Sequence, residues 1–312
     1  MTKSQSISGV AVIGGAVFDR KYHARAPLVA GTSNPVDGSH SHGGVARNVA
    51  ENLARLGVPV RFSSIVGHDD TGNALLRNLE TIGVDVGGVA RSDARPTAEY
   101  AAILDTGNDL ALGIADMAIF DHYSEADLDR ALQNGTTGDW VFADCNLPAA
   151  ILSALVSRCG AAGRRLAVNT VSTPKAFRIR DLLDRIDLLF TNRDEANALV
   201  EEAAPLDTKS VGEALLACGV RAAVITDGAA GYAIVEDGGV DWHNAVPARP
   251  VDITGAGDAF VAGTLACLIA GDGLAQAASA GALLAARTTE TLSSVLPDLS
   301  PTFFDAAAKA PA

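Results

Sequence analysis

Lysine is scarce in this chain, with five in 312 residues. Lys and Arg together number 24 against 37 Asp and Glu, a formal net charge of −13. A protein that coats nucleic acid needs a basic face to neutralise phosphates, so the balance argues against that class. It leaves phosphate-bearing small ligands open, because backbone N–H groups and helix N-termini hold anions without lysine. No run approaches the roughly 18 consecutive apolar residues of a membrane span. The most apolar segment, residues 260–270, is too short and is flanked by glycines. The opening MTKSQSISGVAVIGG has one Lys and no cleavage-site pattern, so no signal peptide is expected. Cysteine is sparse: Cys145, Cys159, Cys218 and Cys267 are far apart and form no C-x-x-C pair. A zinc site or disulfide framework is therefore not expected, and a reduced cytoplasm is the simplest compartment. His40 and His42 stand two apart, but no Cys or third His is near them in sequence to complete a metal site. No G-x-G-x-x-G follows the first apolar run and no G-x-x-x-x-G-K-[ST] occurs anywhere. A dinucleotide-dependent dehydrogenase and a P-loop kinase both lose their fingerprint.

What is present is a globular composition, 48% apolar and 20% charged, which rules out a disordered chain. Short continuous apolar runs at 10–13, 62–66, 140–143, 165–168, 188–190 and 222–225 read as buried strands. Between them, Val45, Val49, Leu53 and Leu56 recur at helical spacing, with Gly57 as the stop. Residues 73–79, 149–159, 178–186, 195–202 and 211–218 also read as helices. The alternation predicts an α/β fold, a mainly parallel sheet with helices on both faces. Two stretches break the rhythm. Residues 17–42 are polar and turn-rich, and residues 96–120 read as a hairpin joined at Asp105-Thr106-Gly107-Asn108. Both are expected to leave the main sheet as a small lid layer on one domain spanning 1–312. An Ala-rich tail follows Thr302.

Three glycine-bearing segments carry the chemistry. In Asp252-Ile253-Thr254-Gly255-Ala256-Gly257-Asp258 a helix is expected to start at the glycines. Such a turn offers backbone N–H groups at the positive end of a helix dipole, an anion hole. Asp258, in the first turn, can accept a proton from a hydroxyl nucleophile. An anion cradle beside a base is what phosphoryl transfer to an alcohol requires. A Thr-Gly cap with a dipole-complementing Asp would read the same way. Gly43-Gly44-Val45-Ala46-Arg47-Asn48 opens the helix that runs to Leu56, where Asn48 suits a pair of sugar hydroxyls. Gly14-Gly15-Ala16-Val17-Phe18-Asp19 leaves the first strand, and Asp19 at that carboxyl end is placed for hydroxyls.

Gly43-Gly44-x-x-x-Asn48 and Asp252-x-Thr254-Gly255-Ala256-Gly257-Asp258 resemble the two signatures of the PfkB, or ribokinase-like, family of carbohydrate and nucleoside kinases. Asn192-Arg193-Asp194-Glu195 resembles its N-x-x-E motif, and Thr226-Asp227-Gly228-Ala229-Ala230-Gly231 its nucleotide-side turn. The four motifs stand in family order over nearly the whole chain. Thr32-Ser33-Asn34-Pro35, residues 43–57, Ile114-Ala115-Asp116-Met117, Ala143-Asp144-Cys145-Asn146 and Val171-Ser172 with Lys175 are similar to the pseudouridine kinase branch.

The resemblance implies a three-layer α/β/α sandwich with a small β lid, using ATP and Mg2+. It makes Asp258 the base and Gly255, Ala256 and Gly257 the anion hole. Asp19, Gly43, Gly44 and Asn48 would bind ribose, and Asn34 and Asp116 would face the base of a nucleoside. Asn192 and Glu195 would organise Mg2+ through water. Thr226, Gly228, Gly231, Thr254 and Asn192 would contact ATP. Lys175 would reach a phosphate, or else is a surface lysine. Asp252 would begin a loop that holds K+. The acceptor expected is the 5′-hydroxyl of pseudouridine. Other sugars or nucleosides are the alternative, and a non-catalytic binder a further one. The lid would pair two subunits in a cytoplasmic homodimer. His42, Asn169 and Ile253 depart from the family pattern.

Overall fold

The structure, a computed structural model, describes residues 9–133, 138–200 and 204–309. The leader reading of residues 1–8 and the end of the 195–202 helix fall outside the described residues. The strands are β1 (Val10–Ile13), β2 (Val17–Ala24), β3 (Val36–Gly43), β4 (Val60–Ser63), β5 (Ile65–Gly67), β6 (Ala90–Ser92) and β7 (Glu99–Leu104). They continue with β8 (Leu110–Asp116), β9 (Trp140–Asp144), β10 (Arg165–Asn169), β11 (Leu188–Asn192), β12 (Ala223–Thr226), β13 (Gly231–Glu236) and β14 (Gly239–Asn244). The helices used below are α1 (Val45–Arg55), α2 (Asp70–Thr81), α3 (Glu125–Leu132), α4 (Ala149–Ala162), α5 (Thr173–Ala176) and α6 (Arg193–Val200). After them come α7 (Thr208–Ala217), α8 (Ala256–Ala270) and α9 (Leu274–Thr289).

The main sheet has eight strands in the order β14-β13-β12-β11-β10-β9-β1-β4. The six strands from β12 to β4 are parallel, and β13 and β14 extend it antiparallel. Both faces are covered, which is why β1, β9, β10, β11 and β12 each carry a continuous apolar run, whereas the edge strand β4 is interrupted by Arg61. Val10 and Val12 pack into one layer with Val49 and Leu53 of α1, Leu75 of α2 and Leu265 of α8. Ala11 and Ile13 pack into the other with Leu128 of α3, Leu155 of α4, Leu199 of α6 and Leu215 of α7. This is the expected three-layer α/β/α arrangement. Phe62 and Phe142 are fully buried, each contributing about 2–3 kcal/mol of transfer free energy.

Helix α8 is apolar all round because it lies between the sheet, α1 and α9. Its backbone approaches α9 where Gly263 faces Gly281; a methyl on Gly263 would lie 2.9 Å from the Gly281 Cα. Residues of the two rhythm-breaking stretches form a separate four-stranded sheet, β3-β2-β7-β8, with β2 and β7 parallel. The hairpin turn closes where Asp105 accepts hydrogen bonds from the backbone of Gly107 and Asp109.

Two sequence expectations are corrected. The run 62–66 is two strands: β4 stays in the main sheet, while β5 leaves it after Ser64 to pair with β6. The segment 178–186 forms 3₁₀ turns over Phe177–Arg185 rather than an α-helix. The strands β13 and β14 carried no signal that sequence reading caught.

Candidate functional site

Asp144, at the carboxyl end of β9, is fully buried. Its Oδ2 accepts from the backbone N–H of Gly15 at 3.0 Å and of Ala46 at 2.9 Å, and its Oδ1 accepts from Asn146 N–H at 2.9 Å. One carboxylate thereby fixes the end of β1 against the start of α1. Gly44, the residue before α1, holds φ of 96°. A Cβ there would fall 2.5 Å from the Gly15 carbonyl oxygen, so only glycine allows this approach.

The start of α8 meets the start of α1. Gly255 precedes α8 with φ of 82°, and a Cβ there would overlap the Ser294 carbonyl. The Ala256 N–H is turned to the Ile253 carbonyl at 3.2 Å. The N–H groups of Gly257 and Asp258 are first-turn donors, which have no acceptor within their own helix. Asp258 is partly buried. Its Oδ2 accepts from Asn48 Nδ2 at 2.7 Å. Burial raises the Asp258 pKa to about 7; the Asn48 hydrogen bond opposes this, while the charges of Asp144 and Asp19 add to it. A carboxylate with that proton affinity is poised as a general base near neutral pH.

Behind Asn48, the Arg47 guanidinium is buried. It donates to Asn48 Oδ1 at 2.9 Å, the His42 carbonyl at 3.2 Å, Asn78 Oδ1 at 2.5 Å and the Glu51 carboxylate.

Strand β2 brings two further groups. Asp19 lies against Gly43, where any Cβ would overlap its carboxylate. Burial raises the Asp19 pKa to about 6, against the pull of Lys21 and Arg47. Lys21 Nζ donates to Asp252 Oδ2 at 2.6 Å and to Thr254 Oγ1 at 3.3 Å. The other Asp252 oxygen accepts from Thr254 N–H at 2.8 Å. Burial works against ionisation of Asp252, yet the Lys21 and Thr254 donors hold its pKa below the usual value.

A cavity of about 190 Å³ opens beside Asp258, with Asn169, Val171, Asn192, Glu195, Thr226 and Gly257 on its walls. Asn192 and Glu195 lock together: Asn192 Nδ2 donates to Glu195 Oε1 at 2.8 Å, and Glu195 N–H donates to Asn192 Oδ1 at 2.9 Å. Thr170 Oγ1 donates to Glu195 Oε2. This all-oxygen set with one carboxylate suits Mg2+ held through water, since that ion keeps part of its hydration shell. At Asp252 a K+ ion would share the carboxylate with the Lys21 ammonium and the Thr254 N–H. Among the described residues no cluster of three or more His, Cys, Asp or Glu gathers to hold a metal.

Val171 holds φ of 67°, rare for a β-branched residue. Ser172 N–H reaches back to the Thr170 carbonyl at 2.8 Å, and Asn169 Oδ1 accepts from Val171 N–H at 2.8 Å. The turn leads into α5, where the partly buried Lys175 donates to Asn146 Oδ1 at 2.5 Å. Burial lowers the Lys175 pKa although the Asp144 charge opposes this, so Lys175 is not a freely solvated surface lysine.

Asp19, Gly43, Gly44, Asn48, Gly257 and Asp258 are thus gathered around the α1 and α8 N-termini, and Asn192, Glu195 and Thr226 around the adjoining cavity. Gly231 has a structural duty: a Cβ there would overlap the His243 carbonyl across the β13–β14 pair. Gly228 holds φ of 54° in the turn before it. Two expected residues are not brought to Asp258. Asn34 spends its amide inside its own loop, on both the N–H and the carbonyl of Val29 and on the Thr32 carbonyl. Asp116 is exposed and pairs across strands with Glu99, which shares a face with Phe18 and Arg20. Asp19 and Lys21 lie on the opposite face of that sheet. His40 stacks on Phe18, with ring centroids 5.3 Å apart. Sequence reading missed the parts played by Arg47, Lys21, Asp144 and Thr170; Arg47 lies three residues from Gly44, Asp144 ends β9 and Thr170 follows β10, whereas Lys21, in the middle of β2, carries no local signal.

Comparison with known proteins adds a family. The description "pfkB family carbohydrate kinase" matches residues 8–299. The chain is 30% identical over 265 residues to the pseudouridine kinase of Escherichia coli (strain K12), covering 84% of each chain. It is 29% identical over 304 residues to the guanosine-inosine kinase of Exiguobacterium acetylicum, covering 95% of this chain and 98% of that one. Among solved structures, Arabidopsis thaliana ribokinase complexed with ribose and ATP superposes with a TM-score of 0.85 at 21% identity, over 98% of this chain and 100% of that one.

Proposed function

The chain belongs to the pfkB family of carbohydrate kinases, phosphotransferases that act on a hydroxyl group of a sugar or nucleoside, and from that premise we propose that it transfers the γ-phosphoryl group of ATP to the 5′-hydroxyl of pseudouridine. The observation that carries the reaction is the Asp258 carboxylate, held by Asn48 at 2.7 Å in the first turn of α8. The acceptor hydroxyl gives its proton to Asp258 as its oxygen bonds to the γ-phosphorus. The bond from that phosphorus to the bridging oxygen breaks, and ADP leaves. The N–H groups at the α8 N-terminus face the charge that develops on the transferring group. Asp19 and Asn48 orient the ribose, and Gly43 leaves room for Asp19. Thr226 and the turn through Gly228 take the nucleotide side, with Thr254 and Lys175 near the phosphates. Mg2+ would neutralise phosphate charge when bound; Asn192 and Glu195 would hold its waters.

The choice of pseudouridine rests on the branch motifs and on the likeness to the Escherichia coli enzyme. The likeness to a guanosine-inosine kinase names the rival acceptors. The outer face of the small sheet supports a homodimer, with Leu112 and Ile114 53% exposed on β8. The structure has no helix, among the described residues, long and apolar enough to cross a membrane, and the reading places the protein in the cytoplasm with its ATP.

The decisive experiment measures ADP release with ATP and Mg2+ against pseudouridine, uridine, cytidine, guanosine, inosine, adenosine, ribose and fructose separately. Pseudouridine should give the highest kcat/KM. A higher value for another acceptor overturns the substrate, and ligand binding without ADP release from any acceptor overturns the kinase in favour of a binder.

A further inference from the structure

We propose that Arg47 is the positioning residue of the catalytic base, acting through Asn48. A guanidinium carries donors only, and an ionised carboxylate accepts only. Asn48 sits between one of each. Arg47 Nη1 lies 2.9 Å from Asn48 Oδ1, and Asn48 Nδ2 lies 2.7 Å from Asp258 Oδ2. Only one orientation of the Asn48 amide satisfies both neighbours: oxygen toward Arg47, NH2 toward Asp258. A flipped amide would set its oxygen against the Asp258 carboxylate and its NH2 against the guanidinium. Arg47 therefore decides that the base receives a hydrogen bond.

Arg47 is itself held on several sides. The buried Glu51 carboxylate pairs with it one turn along α1, Asn78 meets it from α2, and the His42 carbonyl meets it at the end of β3. Its Nε has no hydrogen-bond partner. Burying a cation with one donor unpaired costs stability that an apolar side chain of similar length would not cost. The orientation of Asn48 is what this arrangement supplies in return. The charged groups that act on Asp258 are Asp144 from β9, Asp19 from β2 and Arg47 itself. The two carboxylates favour the protonated base, while the Asn48 hydrogen bond and the Arg47 charge favour the ionised one.

This inference rests on the kinase reading, and its test separates the two. Arg47→Met and Arg47→Lys would be compared with the wild type for kcat and KM across pH 5.5–9, using the best acceptor of the panel above. Circular dichroism would confirm folding. In Arg47→Met, kcat should fall about 10- to 100-fold, the acid limb of the kcat profile should move to higher pH, and the KM for acceptor should change little. Arg47→Lys, which keeps one donor and the charge, should recover part of both effects. An unchanged acid limb in Arg47→Met overturns the proposal; if that variant does not fold, an unchanged limb in Arg47→Lys does so. Should the wild type phosphorylate no acceptor, the kinase reading fails but the inference is still readable. The Asp258 carboxyl, assigned by loss of its signal in Asp258→Asn, would be titrated by carbon-13 NMR in the wild type and Arg47→Lys. Equal midpoints would sink the role of Arg47 without any turnover.

Discussion

Asn48 and Asp258 stand 210 positions apart in the chain, yet the amide nitrogen of one lies 2.7 Å from the carboxylate of the other. Each sits in the first turns of a glycine-led helix, and the contact joins α1 to α8. Asp258→Asn removes the proton acceptor while keeping the side-chain shape. Turnover should fall about 10³-fold, within the usual worth of a general base. Nucleoside binding, followed by calorimetry, should persist. Parallel loss of binding would show that Asp258 holds substrate rather than accepting its proton.

The same carboxylate sets a pH dependence. The base must be ionised, and burial raises its pKa to about 7. Turnover should therefore rise with pH through about 7 and level off above it. Stability runs the other way. The ordinary value is 3.8, so below it both folded and unfolded chains hold the proton. As pH rises toward 7 the unfolded chain releases its proton first, and stability is lost progressively until the folded form also ionises. Asp19, raised to about 6, adds in the same direction. Asp258→Asn should thus melt above the wild type, by a wider margin at pH 8 than at pH 4. Scanning calorimetry at the two pH values checks this, and equal margins would contradict it.

Much of the site was legible because phosphoryl transfer uses backbone donors, and glycine marks where backbone must be approached. Gly43, Gly44, Gly255 and Gly257 therefore announced both helix starts, and the apolar runs announced the parallel strands. The side chains that organise these starts were not legible. Arg47 looks like any helical arginine until α2 and the end of β3 close over it. Asp144 looks like a loop acid until two distant N–H groups converge on it. The face that Asp116 takes was not legible for a related reason: the strand register decides it, and register depends on pairing with Glu99.

Asp144 gives a structural counterpart to Asp258. Its two oxygens accept from three backbone N–H groups in a fully buried setting. Asp144→Asn turns a donor toward donors and should cost about 3 kcal/mol, measured by urea denaturation. Activity should fall as well, because Ala46 lies two residues before Asn48 on α1. A stability change below about 0.5 kcal/mol, the range of neutral surface substitutions, would show that water replaces the lost acceptor.

Gly43 makes room for Asp19, so Gly43→Ala must push that carboxylate away from its place. The backbone of Gly43 is in a strand, which alanine tolerates, so the fold should survive. The effect should fall on the acceptor site: KM for the nucleoside rises about tenfold, the worth of one charge-assisted hydrogen bond, while KM for ATP stays near the wild-type value. Equal changes in both constants would mean that Asp19 acts on the whole cleft rather than on ribose.

Lys21 is a bridge between the small sheet and the loop before α8. Its ammonium lies 2.6 Å from Asp252, with the two side chains 30% and 21% exposed. At that exposure, Lys21→Met should cost no more than about 1 kcal/mol of stability. The cost to activity should be larger, because Asp252 and Thr254 lead directly into Gly255. The lost charge also leaves Asp252 Oδ2 without its cation, which a monovalent ion can replace. The wild type should respond little when KCl is exchanged for choline chloride at equal ionic strength. Lys21→Met should lose about tenfold in kcat/KM in choline, a worth of roughly 1.4 kcal/mol, and recover part of it in KCl. Strong potassium activation of the wild type would show instead that the ion binds without displacing Lys21. In that case the Lys21–Asp252 pair would serve the small sheet alone.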